Sequence, residues 1–167
     1  MLSNVKDELN RFAKYVISQS RANLTRGKKN SSKELYNSLD SNVKVSKNSF
    51  ELTFLMEEYG VFQDKGVSGV KKKYNTKYAY TTKMPPPSKM DKWIVKKGIA
   101  PRGKDGKFIS RKSLQFMIAR SIFNNGIKPS LFFTKPFEKA FKGLNKDLVE
   151  AYKLDVEALM KNSINNK

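Results

Sequence analysis

The chain has 167 residues, enough to bury a core and fold as one compact domain without covalent staples. It contains no Cys and no His, which excludes a disulfide framework, thiolate chemistry and a cysteine or histidine metal site, and leaves carboxylates, Lys, Tyr and Ser/Thr to carry any reaction. With 34 Lys and Arg against 15 Asp and Glu the formal charge is +19, which calls for a polyanion or an acidic protein surface as partner.

From the N-terminus, Leu2, Val5, Leu9, Phe12 and Val16 recur at alternating spacings of three and four, which predicts a helix over 2–26 that lays one stripe on its own domain and stops at Gly27. Ser31 and Glu34 form a capping-box pair ahead of Leu35 and Leu39, and predict a short second helix. A hairpin follows. If Lys47 and Asn48 make its turn, Val45 faces Phe50, Val43 faces Leu52 and Lys44 faces Glu51, with alternation continuing through Phe54 and Met56.

Beyond the hairpin the charge becomes uneven. Residues 65–107 hold 13 Lys and Arg against Asp91 and Asp105 alone, together with five glycines and Pro85, Pro86 and Pro87. This predicts an extended basic loop over 65–87, in which 78–82 alternate as a short strand. Ser88 and Asp91 then form a capping pair for a short helix with Met90, Trp93 and Ile94 on one side, ended by Gly98. Ser110 caps a helix with Leu114, Met117, Ile118 and Ile122 inward, stopped at Gly126. Thr134 and Pro136 open a last helix with the stripe Phe137, Phe141, Leu144, Leu148, Tyr152, Val156 and Leu159, fraying over 162–167. Strands segregated from most of the helices indicate a single α+β domain over 1–167. Its small antiparallel sheet, near 43–56, is expected under the first and last helices, with the two shorter helices at its flank. No signal-peptide layout or membrane-length apolar run is present, and a soluble protein made in the cytosol is expected.

Four segments, in order, carry a resemblance: Ser32 to Leu39 (SKELYNSL) after the early helix; Tyr59 to Gly66 (YGVFQDKG); Pro86-Pro87 leading into Lys92 to Ile99 (KWIVKKGI); and Phe116 to Ile122 (FMIARSI) running through Gly126-Ile127-Lys128-Pro129 to Leu131-Phe132-Phe133. In this order and spacing they resemble the tail-completion or head-tail joining proteins of tailed bacteriophages, over nearly the whole chain. The stretch 66–84 is longer and more charged than in that family. The resemblance implies a structural virion protein and not an enzyme, assembled with itself in a symmetric ring around the DNA channel and touching neighbouring neck, connector or tail proteins at the head-tail junction. The alternative is a small basic protein that binds DNA without sequence preference.

The strongest candidate for contact with a partner or with DNA is the basic loop: Lys65, Lys71, Lys72, Lys73 and Lys77, with Tyr74 and Tyr78 as stacking faces, and Lys83. Trp93, Phe132 and Phe133 are candidate interface anchors, with core packing as their ordinary fate. No catalytic residue, cofactor or metal is expected. The glycine and lysine spacing over 98–104 fits a phosphate loop, but Asp105 stands where a hydroxyl should hold magnesium, and Pro101 interrupts it. Glu57, Glu58, Asp64 and Lys65 sketch a nuclease cluster that lacks further carboxylates at a defined spacing.

Overall fold

The computed structural model describes residues 2–29, 32–46 and 49–165. The fold is α+β, with one antiparallel hairpin and helices packed on it. Internal contacts gather into two compact units, Met1–Glu57 with Phe132–Lys167, and Glu58–Leu131. No boundary at either junction was read from the sequence.

In the first unit, helix α1 (Ser3–Arg26) buries Val5, Leu9, Phe12 and Val16, as their spacing predicts, along with Ala13, Ser20 and Leu24. Helix α2 (Glu34–Ser38) delivers Leu35 and then Leu39 to the core beside Leu24 and Phe132. Its predicted cap Ser31 lies outside the described residues. The carbonyls at its C-terminal end are held instead by Arg21, whose Nε donates to the Tyr36 carbonyl at 3.1 Å and Nη2 to the Leu39 carbonyl at 2.9 Å.

Strands β1 (Asp40–Val45) and β2 (Phe50–Leu55) pair in the predicted register, with Val43 opposite Leu52, Lys44 opposite Glu51 and Val45 opposite Phe50. The predicted turn residues Lys47 and Asn48 lie outside the described residues; Ser46 N–H donates to the Ser49 carbonyl at 2.7 Å. Period-2 alternation turns Val43, Leu52 and Phe54 to the side covered by α1 and helix α6 (Thr134–Asn165). Phe12, Phe54, Phe133 and Phe137 meet there mostly edge to face, with Phe54 and Phe133 centroids 5.1 Å apart and Phe12 and Phe137 centroids 5.6 Å apart. Each such pair adds about 1 kcal/mol to the burial of its rings.

The predicted stripe of α6 is only partly right. Phe137, Leu144 and Leu148 pack inward, but Phe141, Tyr152 and Leu159 stand exposed, and Ala140, Ala151 and Asp155 take inward positions. Small side chains at 140 and 151 leave room for α1 and β2 to pack closely, so bulk is a poor guide to which face is buried.

The second unit departs further from expectation. The stretch from Tyr59 to Gly66, one of the segments that carry the resemblance, is helix α3 (Tyr59–Lys65), closed by Gly66 at φ 75°. No strand forms over 78–82; a single parallel bridge joins Ser68 to Ala79. Ser88 and Asp91 make no capping pair: a 3-10 turn, Pro87–Met90, runs into helix α4 (Asp91–Lys97) without a side-chain cap. The Asp91 carboxylate accepts from Gln115 Nε2 at 2.6 Å instead, tying α4 to helix α5 (Arg111–Asn125). Ser110 does cap α5, its hydroxyl accepting from Ser113 N–H at 3.2 Å. That helix buries Leu114 and Ala119, while Met117 is 53% exposed.

The largest correction concerns the basic loop. Residues 66–80 are not an extended arm, because the backbone polar groups of a buried stem must find partners and do so within the unit. Val67 exchanges both backbone hydrogen bonds with Ile127, at 2.9 and 2.8 Å, and Val70 N–H donates to the Phe123 carbonyl at 2.9 Å. Gly66, Val67, Ser68 and Gly69 are all buried.

Candidate functional site

Charge separates the two units. Residues 58–131 carry 17 of the 34 Lys and Arg but 4 of the 15 Asp and Glu, so this unit holds +13 of the +19. Such a field raises the local concentration of any polyanion at its surface.

Four of the lysines, Lys71, Lys72, Lys73 and Lys77, are displayed on a compact knot whose centre is Ser68, buried to 4% exposure. Its N–H donates to the Tyr78 carbonyl and its carbonyl accepts from Tyr80 N–H, both at 2.8 Å. Its hydroxyl accepts from Tyr74 N–H at 2.9 Å and donates to the Tyr74 carbonyl at 3.1 Å. One residue, through its backbone and its hydroxyl, therefore fixes three points of the strongly basic segment. Lys71 and Lys72 are anchored by their backbone N–H groups, which donate to the Asn124 carbonyl at 2.9 and 3.1 Å and leave both side chains outside. Thr76 closes the knot, its hydroxyl donating to the Gly66 carbonyl at 3.2 Å.

The candidate cations differ in what they have left to offer. Lys73 Nζ donates to the Gly69 carbonyl at 3.0 Å and so serves the fold. Lys72 Nζ lies 5.7 Å over the Tyr74 ring and Lys77 Nζ 5.3 Å over the Tyr78 ring. Each ring expected as a stacking face is thus covered by a cation of its own loop. Lys65 Nζ is 4.0 Å from the Asp64 carboxylate, a pair too exposed on the lysine side to hold it strongly. Lys71 and Lys83 project into solvent.

Of the candidate anchors, Trp93 remains 43% exposed on α4. Phe132 is 1% exposed among Leu24, Leu35 and Leu39 and cannot meet a partner without unfolding its cluster; Phe133 is half-buried against Phe54 and Phe137. The 98–104 segment is no phosphate cradle. It folds into a tight turn in which Arg102 pairs with Phe108 and rests its guanidinium 4.3 Å over that ring, while the Asp105 carboxylate accepts from Lys107 N–H at 3.2 Å. Among the described residues no cluster of acidic side chains is arranged to hold a metal ion, and Asp64 is buried.

No family model, curated protein or solved structure matches this chain.

Residues that the sequence did not single out for contact with a partner organise the site. Ser68, Asn124 and Gly126 make the knot possible, and Gln63 and Tyr80 line a cleft of about 590 Å³ beside it. Burial raises the Tyr80 phenol above its ordinary pKa, so it stays a neutral hydroxyl at physiological pH. The advance signals were Gly126 as a helix stop and Gly66 and Gly69 on either side of Ser68.

Proposed function

We propose that this chain is a non-enzymatic attachment component of a tailed-phage particle at the head-tail junction, with the basic unit 58–131 as its attachment surface. Two things support the reading: the ordered segments that resemble tail-completion proteins, and the concentration of +13 on one unit, four of whose lysines are carried by a hydrogen-bonded knot. The second observation carries the mechanism. Lysines on a rigid scaffold lose less freedom on docking than lysines on a flexible arm, so more of their electrostatic attraction survives as affinity. Copies arranged in a ring would present the same patch at every subunit to an acidic neighbour or to DNA in the channel.

The test is to purify particles of the parent phage, identify this chain among their proteins and locate it by particle imaging. Density for it in a ring between head and tail is the expected result, together with unjoined heads and tails when its gene is deleted. Its absence from particles that join normally would overturn the reading.

The same charge favours a second reading, a basic protein that grips duplex DNA by itself. A salt titration separates them, since a solitary phosphate binder loses affinity steeply as log K against log salt.

A further inference from the structure

The cleft beside the knot has features that attachment by bulk charge leaves unused. Ser68 takes up the backbone groups of Tyr78 and Tyr80, and Ala79 between them lines the cleft. Its own N–H and C=O make no hydrogen bond among the described residues. Gln63 lines the same cleft, and its Nε2 is buried with no hydrogen-bond partner among the described residues. A buried amide donor without an acceptor costs stability, and a fold retains that cost where something else supplies the acceptor. The walls are apolar and aromatic, with the Phe62 and Tyr78 rings edge to face at 4.8 Å, and Tyr80 and Ile127 beyond. Lys77 stands on the rim and is shared with a second hollow that Lys65 also lines; among the described residues no carboxylate lines either one.

We infer that this cleft docks a short extended acidic segment of a partner protein, which bridges the free edge of Ala79 with its backbone, gives a carbonyl to Gln63 and sets its carboxylates against Lys77 and Lys65. Two considerations select a peptide over a nucleic acid. Ala79 presents one donor and one acceptor side by side, the complement of another peptide unit, whereas a phosphate backbone can only accept. The Tyr78 face that a base would stack on is already occupied by the Lys77 ammonium, 5.3 Å from the ring centroid. The volume of about 590 Å³ holds a few residues, with their side chains alternating between cleft and solvent.

The inference deepens the attachment reading by naming a partner class, and it rests on that reading for the partner's origin. Its test needs no particle. A fluorescein-labelled eight-residue peptide alternating Glu and Val is titrated into the full chain by polarisation. Three comparisons accompany it: the same peptide N-methylated at alternate amides in both phases, a labelled 20-mer of deoxythymidine, and the Lys77→Glu and Gln63→Met variants. We expect saturable binding of the plain peptide, a loss of at least tenfold on N-methylation in one phase, and a loss of at least tenfold with Lys77→Glu. Gln63→Met should raise the thermal midpoint of the free protein while weakening peptide binding, a combination that a purely structural glutamine would not produce. Equal binding of the methylated peptides, or an oligonucleotide that binds more tightly and displaces the peptide, would overturn the inference. Failure here with the chain still located in particles leaves the attachment reading standing; success with the chain absent from particles does the reverse.

Discussion

Asp155, near the C-terminal end of α6, caps the N-terminus of α1: its Oδ2 accepts from Val5 N–H at 3.0 Å, while its Oδ1 accepts from Asn4 N–H at 3.0 Å and from the Asn4 side chain at 2.8 Å. Leu2, at the cap position, offers no side-chain acceptor, so the first turn of α1 is completed from 150 residues away. Burial alone would raise the pKa of this carboxyl, but the hydrogen bonds from Asn4, Val5 and Ser3 outweigh it and hold the group below its ordinary 3.8. A carboxylate depressed in the folded state contributes stability that is present above about pH 4 and is lost as pH falls through the folded value. Asp155→Asn should lower stability by about 2 kcal/mol near neutrality and flatten the acid limb of the stability curve, as measured by urea unfolding followed by circular dichroism between pH 2.5 and 7.

Gly126 sits at φ 70°, and a Cβ there would collide with the Val67 carbonyl oxygen; Gly69 faces it, and a Cβ there would collide with the Asn124 carbonyl. Gly126→Ala should cost about 3 kcal/mol or more, because it adds a disfavoured backbone conformation to a backbone clash. The single tryptophan, Trp93, lies in this unit, so its fluorescence follows the loss directly. Deleting 67–82 should produce the same signal, since it removes the backbone partners of Phe123, Asn124 and Ile127.

Among the loop lysines, Lys71 and Lys73 should part company. Lys71→Ala should leave the unfolding midpoint unchanged and reduce the salt slope of polyanion binding by about 0.9 if it meets a phosphate. Lys73→Ala should also lose about 1 kcal/mol of stability, through its bond to the Gly69 carbonyl. Heparin or duplex DNA titrated at several salt concentrations, beside thermal melts, reads both.

Phe132 and Trp93 make a second contrasting pair. Phe132→Ala should cost about 3–5 kcal/mol by opening a cavity among Leu24, Leu35 and Leu39. Trp93→Ala should change stability by about 0.5 kcal/mol or less and weaken only contacts with a partner. A Trp93 variant as destabilised as the Phe132 variant would remove Trp93 as an exposed anchor.

Local pattern carried much of the first unit. The stripe of α1 and the register of the hairpin follow from periods of 3.6 and 2, which neighbouring residues impose on each other whatever lies beyond. The Ser110 cap is equally local, since donor and acceptor are three residues apart. The second unit was far less legible. Between Gly66 and Tyr80 the backbone bonds to residues near 123–127 and to itself in a pattern without a period, and glycines and lysines on paper look the same in a solvated arm as in a buried knot.

By itself, then, the sequence determined the α+β class, the hairpin pairing, the buried face of α1 and the excess of positive charge, because each follows from composition or from neighbours along the chain. Only the tertiary structure decided that Asp155 caps α1, that Ala140 and Ala151 sit where larger side chains were expected, and that the basic segment is folded onto Ser68 and leaves Ala79 and Gln63 facing one cleft. These depend on which distant backbone groups satisfy one another once water is excluded, and such long-range pairing leaves no repeat for a reader of the sequence to find.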